Sequence, residues 1–213
     1  MKICGIKRLE DALLAHKHGA DAIGVLVGQE HASSDFLAPD SAREIVKGLP
    51  PFCSSVLVTH VADADAVESL ISVVAPSCIQ LHGDSTVESI RRLREQFPAL
   101  KIVKSIHVTG EESVAKAKIF EAVVDAILLD TVNFQTNQIG GTGKTHDWHI
   151  SRKIVEACVV PVILAGGLNP ENIAEAIRIV KPYGVDVNSG TKGADGFKDE
   201  EKLSLFIQGT TIV

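Results

Sequence analysis

A thiol, a carboxyl group and two glycine pairs are the groups in this chain whose type and position suit them to chemistry. Cys4 ends a short run that begins at Lys2, just before Gly5, and Asp130 ends the apolar run that begins at Ala126. Gly166-Gly167 follow Val162 to Ala165, and Asn188-Ser189-Gly190 follow Val185 to Val187. A thiol and a carboxyl can exchange protons with a ligand once burial and neighbouring charges adjust their pKa values. Glycine turns between a strand and a helix expose backbone N–H groups that can hold a phosphate. Asn169-Pro170-Glu171 reads as the cap, first residue and first-turn acid of such a helix. Strand alternation puts Cys4 on the side of Lys2, Asp130 with Leu128, and Asn188 with Asp186. These groups suggest proton transfer on a phosphorylated small molecule. Spacing alone leaves a second reading equally open, in which Cys4 fills the core and Asp130 caps the loop after it.

The elements that would position these groups recur regularly. Strand-like runs begin at 2, 22, 55, 78, 101, 126, 162 and 184, a mean step of about 26 residues, which suits repeated strand-helix units. Helices are expected over Arg8–His18, Pro39–Lys47, Asp63–Val74, Thr86–Gln96, Glu111–Ala122 and Asp199–Gln208, with others after Thr145 and Asn169. On the first of these, Leu9, Ala12, Leu13 and Ala15 form the apolar side. Eight units predict a single-domain (β/α)8 TIM barrel over residues 1–213, whose loops after strands seven and eight form the usual phosphate site. Two long segments, Gly28 to Ala38 and Thr131 to Thr145, fall at strand C-termini. Gly140 to Thr145 resembles part of a P-loop, but it lacks the first glycine of that motif at the required spacing, so a lid over the site is the expectation.

Composition narrows the ligand class. The 213 residues are 45% hydrophobic and carry a net charge of -6 with both signs interspersed, which argues against nucleic acid and membrane partners. The four cysteines form no C-x-x-C, and the histidines show no metal spacing beyond the i, i+3 pair His146 and His149, so no metal is expected. The start of the chain lacks a signal-peptide pattern, which makes the cytoplasm the expected location. Monomer and homodimer are both compatible with the sequence.

The same residues carry a family resemblance. Lys2-Ile3-Cys4-Gly5-Ile6 with Glu10-Asp11-Ala12, Gln80-Leu81-His82-Gly83, and Leu128-Leu129-Asp130 form its first half. Gly140 to Thr145 with Asp147-Trp148, Ala165 to Asn172, and Gly184 to Gly190 form its second. Together, in one order over nearly the whole chain, they resemble phosphoribosylanthranilate isomerase. That family isomerises N-(5-phosphoribosyl)anthranilate to the carboxyphenylamino-deoxyribulose phosphate in tryptophan synthesis, without metal or cofactor. The resemblance implies Asp130 as general acid and Cys4 as general base. It implies Gly166, Gly167, Ser189 and Gly190 as phosphate ligands. A base needs a lowered thiol pKa, for which Lys2 or Lys7 is a candidate, and the acid needs partial desolvation. Lys7, His82, Asp186 and Asn188 are further candidates for substrate contact. Asp186 could reach a ribose hydroxyl or pair with Lys2, and His82 could line the mouth or anchor a loop.

One segment departs from the pattern. Where the family usually has Ser-Pro-Arg, its arginine expected to hold the anthranilate carboxylate, this chain has Ser33-Ser34-Asp35. Three explanations are open: Asp35 faces solvent; Lys7, Arg8 or protonated His31 supplies the cation, with His107 a further candidate; or the substrate lacks that carboxylate. The alternatives to the usual activity are therefore a paralogue acting on another aminoaldose phosphate and a non-catalytic phosphate-binding barrel.

Overall fold

The computed structural model describes residues 1–28, 33–133, 138–139 and 145–211. Eight parallel strands close a barrel: β1 (Lys2–Ile3), β2 (Ala22–Leu26), β3 (Ser54–Thr59), β4 (Cys78–Leu81), β5 (Lys101–His107), β6 (Ala126–Asp130), β7 (Val162–Leu164) and β8 (Gly184–Val187). β1 closes the ring by pairing with both β2 and β8, with Lys2 beside Ala22 on one side and Asp186 on the other. The outer ring holds α1 (Leu9–His18), α2 (Pro39–Lys47), α3 (Ala64–Val74), α4 (Val87–Gln96), α5 (Glu112–Phe120), α6 (Trp148–Ala157), α7 (Ile173–Val180) and α8 (Glu200–Thr211). None of the described helices is long and apolar enough to cross a membrane.

Local chemistry explains the boundaries. Asp63 accepts from the Ala66 N–H to start α3, and Thr86 and Ser89 cap α4 reciprocally. Gly19 takes a left-handed conformation to end α1. Strand side chains alternate between two apolar regions. Ile3, Ile23, Leu57, Ile79, Ile102, Ile127 and Leu164 pack outward against the helices. Leu26, Val56 and Val58, with Val103, Ala126 and Leu128, fill the barrel interior.

Three local expectations need correction. The regular ladder of α7 begins at Ile173 rather than Pro170. Asn169 caps as expected, its Oδ1 accepting from Glu171 and Asn172 N–H, but Asn172 at φ -116 interrupts the helix after that first turn. Leu13 is 42% exposed, whereas Asp11 is buried on the inner side of α1, where its carboxylate receives Arg8 Nε and the Lys198 N–H. After β6 the chain forms a short antiparallel ribbon, Val132–Asn133 with Gln138–Ile139. Gly140 to Lys144 lies outside the described residues, as does His31.

Candidate active site

The mouth stands on a polar layer inside the barrel. The Lys2 ammonium donates to Asp186 Oδ2 at 2.6 Å and reaches across to Gln80 Oε1 on β4 at 2.9 Å. Gln80 in turn donates to Ser105 Oγ at 3.2 Å. Burial alone would pull the Lys2 ammonium down, but Asp186 and the Cys4 sulfur hold it charged and raise its pKa. Asp186 lines the mouth, and its Oδ1 is buried with no hydrogen-bond partner among the described residues.

Cys4 lies one step above Lys2, just past the end of β1, with its N–H still donating to Val187 O. Gly24 on β2 makes room for it, since a Cβ there would sit 2.7 Å from Sγ. The pKa of this thiol departs from the sequence expectation: burial raises it, and the opposing field of Lys2 is partly cancelled by Asp186. Lys198 also favours the thiolate but does not reverse the balance. Lys7, the other candidate activator, is absent from the mouth. Its ammonium lies 4.7 Å over the Phe197 ring, and the Arg8 guanidinium lies 4.1 Å over the same ring.

Asp130 ends β6 across the mouth. Burial pushes its carboxyl up to about 7, despite a 2.7 Å hydrogen bond from the Thr131 N–H that favours the charged form. Beside it runs a row of imidazoles from the ends of β3, β4 and β5. His82 stacks on His60 at 4.7 Å between centroids and meets His107 edge-on at 5.1 Å. His82 Nε2 is 3.4 Å from His107 Nε2 and 3.7 Å from Asp130 Oδ2. Burial, then the neighbouring imidazoles, drives His82 well below its ordinary value, and burial with Lys104 takes His107 to about 4. Both are neutral near pH 7, so His107 cannot supply the missing cation.

The glycine loops meet over β7 and β8. Gly166 and Gly167 adopt successive positive φ values of 81° and 67°, and among the described residues their N–H groups have no acceptor. Gly190 follows Ser189 in a single 3-10 turn. A Cβ at Gly190 would lie 2.1 Å from Leu168 O, so the two loops touch only because that residue is glycine.

Asp35 faces the mouth, not solvent. It is 7% exposed, and both carboxylate oxygens accept from Lys192 Nζ at 2.5 Å. Asn188 Nδ2 donates to it at 2.9 Å. Burial opposes the charge, but these two hydrogen bonds outweigh it and lower the Asp35 pKa. Lys198 fixes Asn188 from below, its ammonium donating to Asn188 O at 2.8 Å and Thr191 Oγ1 at 3.1 Å. Its burial lowers the Lys198 pKa to about 8.

The structure therefore brings Cys4, Asp130, His82, Asp186, Asn188, Ser189, Gly166 and Gly167 to one cavity and places Gly190 behind it. Lys192, Lys198, His60 and Phe36 are site residues that the sequence reading did not single out. Lys192 had one available signal, its place two residues beyond Gly190 in a strand-end loop. His146, one of the paired histidines, holds Thr131 Oγ1 at 3.1 Å and Ser151 Oγ at 2.6 Å, fixing the end of the segment after β6.

Fold and mouth together define a (β/α)8 barrel with a buried thiol and a near-neutral carboxyl beside a two-loop glycine cradle. The family model described as "N-(5'phosphoribosyl)anthranilate (PRA) isomerase" matches residues 1–209, and the chain belongs to this family. It is 51% identical over 207 residues to N-(5'-phosphoribosyl)anthranilate isomerase 2 of Methanosarcina mazei, covering 97% of this chain and 92% of that protein. The solved phosphoribosyl anthranilate isomerase of Thermotoga maritima superposes with a TM-score of 0.87 at 34% identity, covering 100% of this chain and 98% of that one. A phosphoribosyl anthranilate isomerase solved with reduced 1-(o-carboxyphenylamino)-1-deoxyribulose 5-phosphate gives 0.84 at 32% identity, with the same coverage.

Proposed function

We propose that Asp130 and Cys4 carry out the proton transfers of the isomerase step in tryptophan biosynthesis, from N-(5'-phosphoribosyl)anthranilate to the carboxyphenylamino-deoxyribulose phosphate. The observation that carries this reading is the pairing, in one cavity, of a carboxyl held near pKa 7 with a thiol beside two ammonium groups. Asp130 gives its proton to the furanose ring oxygen as the C1′–O bond breaks, and the nitrogen lone pair forms the Schiff base. Cys4, as thiolate, then takes the C2′ proton. The C–H electrons form the C1′–C2′ double bond, and the C=N electrons return to nitrogen. The resulting enolamine tautomerises to the aminoketone, so no atom is gained or lost.

The cradle of Gly166, Gly167, Ser189 and Gly190 receives the phosphate through backbone N–H groups. Asp186, whose Oδ1 has no partner among the described residues while Oδ2 stays on Lys2, accepts from a ribose hydroxyl in this reading. His82, neutral and 3.7 Å from the acid, adds no positive charge that would pull the Asp130 proton away.

Loss of fluorescence of freshly prepared N-(5'-phosphoribosyl)anthranilate, corrected for spontaneous breakdown, tests the assignment. Cys4→Ala and Asp130→Asn are each expected to lower turnover by at least ~100-fold, the scale of a general acid or base. Near-wild-type turnover in either variant would remove that residue from the mechanism.

A further inference from the structure

The substrate of this reaction carries two anionic groups, a phosphate at one end and an aryl carboxylate at the other. The glycine cradle serves the first. Among the described residues lining the cavity, Lys192 is the only lysine or arginine. We propose that Lys192 binds the aryl carboxylate and that Asp35 and Asn188 hold its ammonium in place, an assignment that rests on the isomerase reading above.

Position separates this cation from the phosphate cradle. The cradle joins the loops after β7 and β8, whereas the Lys192–Asp35 pair joins the loop after β8 to the segment after β2. Because β1 lies between β2 and β8 in the ring, that link passes over Cys4 and on the opposite side of β8 from Gly166 and Gly167. Donor count leaves room for a ligand. An ammonium has three N–H groups, Asp35 accepts two, and among the described residues the third has no acceptor. The Lys192 side chain is 19% exposed, so that N–H is reachable from the mouth. Charge agrees with this arrangement. Around Asp35 and Asn188 stand two ammonium groups, Lys192 and Lys198, against one carboxylate, so one positive charge is left over there. Asp35 thus acts on the ligand through Lys192: a positioning residue, with no carboxylate–carboxylate contact required. Apolar and aromatic side chains alongside, Leu26, Val58, Phe36 and His60, offer a face for the aryl ring.

The test compares two substrates on wild type, Lys192→Ala, Lys192→Arg and the double variant Lys192→Ala/Asp35→Ala. One substrate is N-(5'-phosphoribosyl)anthranilate, and the other is the aniline compound that lacks only the carboxylate, followed by NMR. Lys192→Ala is expected to raise KM for the anthranilate compound about 10- to 100-fold, the usual scale for a hydrogen bond to a charged group, with kcat little changed. For the aniline compound, wild type and variant should agree within about twofold, and Lys192→Arg should recover most of the loss. The double variant removes the carboxylate that Lys192→Ala leaves unpaired, so the same substrate-specific loss in it excludes misfolding as the cause. Equal losses on both substrates, or no loss on either, would overturn the assignment. No turnover of the anthranilate compound by folded wild type would instead remove the isomerase reading itself, and this assignment with it.

Discussion

At the scale of single residues, the proposed acid and base have their pKa values in an unusual order. Asp130 titrates near 7, while Cys4 lies above the ordinary thiol range because burial outweighs its cations. In the proposed mechanism the productive form has Asp130 protonated and Cys4 ionised, so it is the minor partner of the form with ionised Asp130 and a neutral thiol. The expected kcat/KM profile is a bell whose rising limb, at about 7, reports the carboxyl and whose falling limb, at higher pH, reports the thiol, as macroscopic values of the pair. The sign follows from counting protons. Below the acid's pKa both groups are protonated, above the thiol's both are ionised, and the active form peaks between. Alkylation of Cys4 by iodoacetamide against pH checks this, since its rate should keep rising well above pH 7. Full thiolate reactivity already at pH 7 would reverse the order. The sequence placed Cys4 and Asp130 at strand ends because periodicity locates them, but it could not weigh burial against Lys2, and it offered Lys7, which folds back over Phe197. Nor could it join Asp35 to Lys192, because a contact across more than half of the chain leaves no trace in local spacing.

At the scale of elements, a strand-end loop works only if its neighbour lets it sit close. The loops after β7 and β8 interlock at Gly190, where a Cβ would meet Leu168 O at 2.1 Å and Asn169 Cα at 2.9 Å, both on the facing loop. Backbone cannot swing aside as a side chain can. Gly190→Ala is therefore expected to force the loops apart, raising KM at least ~10-fold and costing about 1–3 kcal/mol in urea denaturation. Gly184→Ala on β8 is the control: nothing lies within 4 Å of its added Cβ and its φ is not positive, so a change within ~0.5 kcal/mol is expected. If Gly190→Ala matched that control, the interlocked cradle would not matter to binding. Element positions were legible in the sequence because each apolar run and cap acts locally. Thr86 with Ser89 and Asp63 with Ala66 mark helix starts to within one residue. The later start of α7 was not legible, because Asn169 caps the turn before it as a helix cap would, and only the backbone at Asn172 delays the regular ladder.

At the scale of the whole molecule, the ring closes through its shortest strand. β1 is two residues long, yet it is the seam between β2 and β8, and its inward side chain crosses the interior. Lys2 ties β1 to Asp186 on β8 and to Gln80 on β4, and Gln80 continues to Ser105 on β5, so four strands share one buried network. The sequence offered Lys2 as one of two partners for Asp186, the other being a ribose hydroxyl, but Gln80 was read only as part of a motif, since its partner lies across the barrel rather than beside it. Removing one member of a buried pair strands the other charge, a loss of about 3–5 kcal/mol, whereas removing both often restores stability. Lys2→Met should thus lower the unfolding free energy by that amount, with Lys2→Met/Asp186→Leu recovering most of it, both measured by urea denaturation. Activity should behave differently. The double variant is expected to stay inactive, because Cys4 has lost Lys2, the stronger of the two cations that favour its thiolate, and the cavity has lost the Asp186 carboxylate. A double variant as unstable as Lys2→Met would mean that the network closes the ring through its hydrogen bonds to Gln80 rather than through charge pairing. Recovery of stability without activity would mean that the charges at the seam are kept for the chemistry above them.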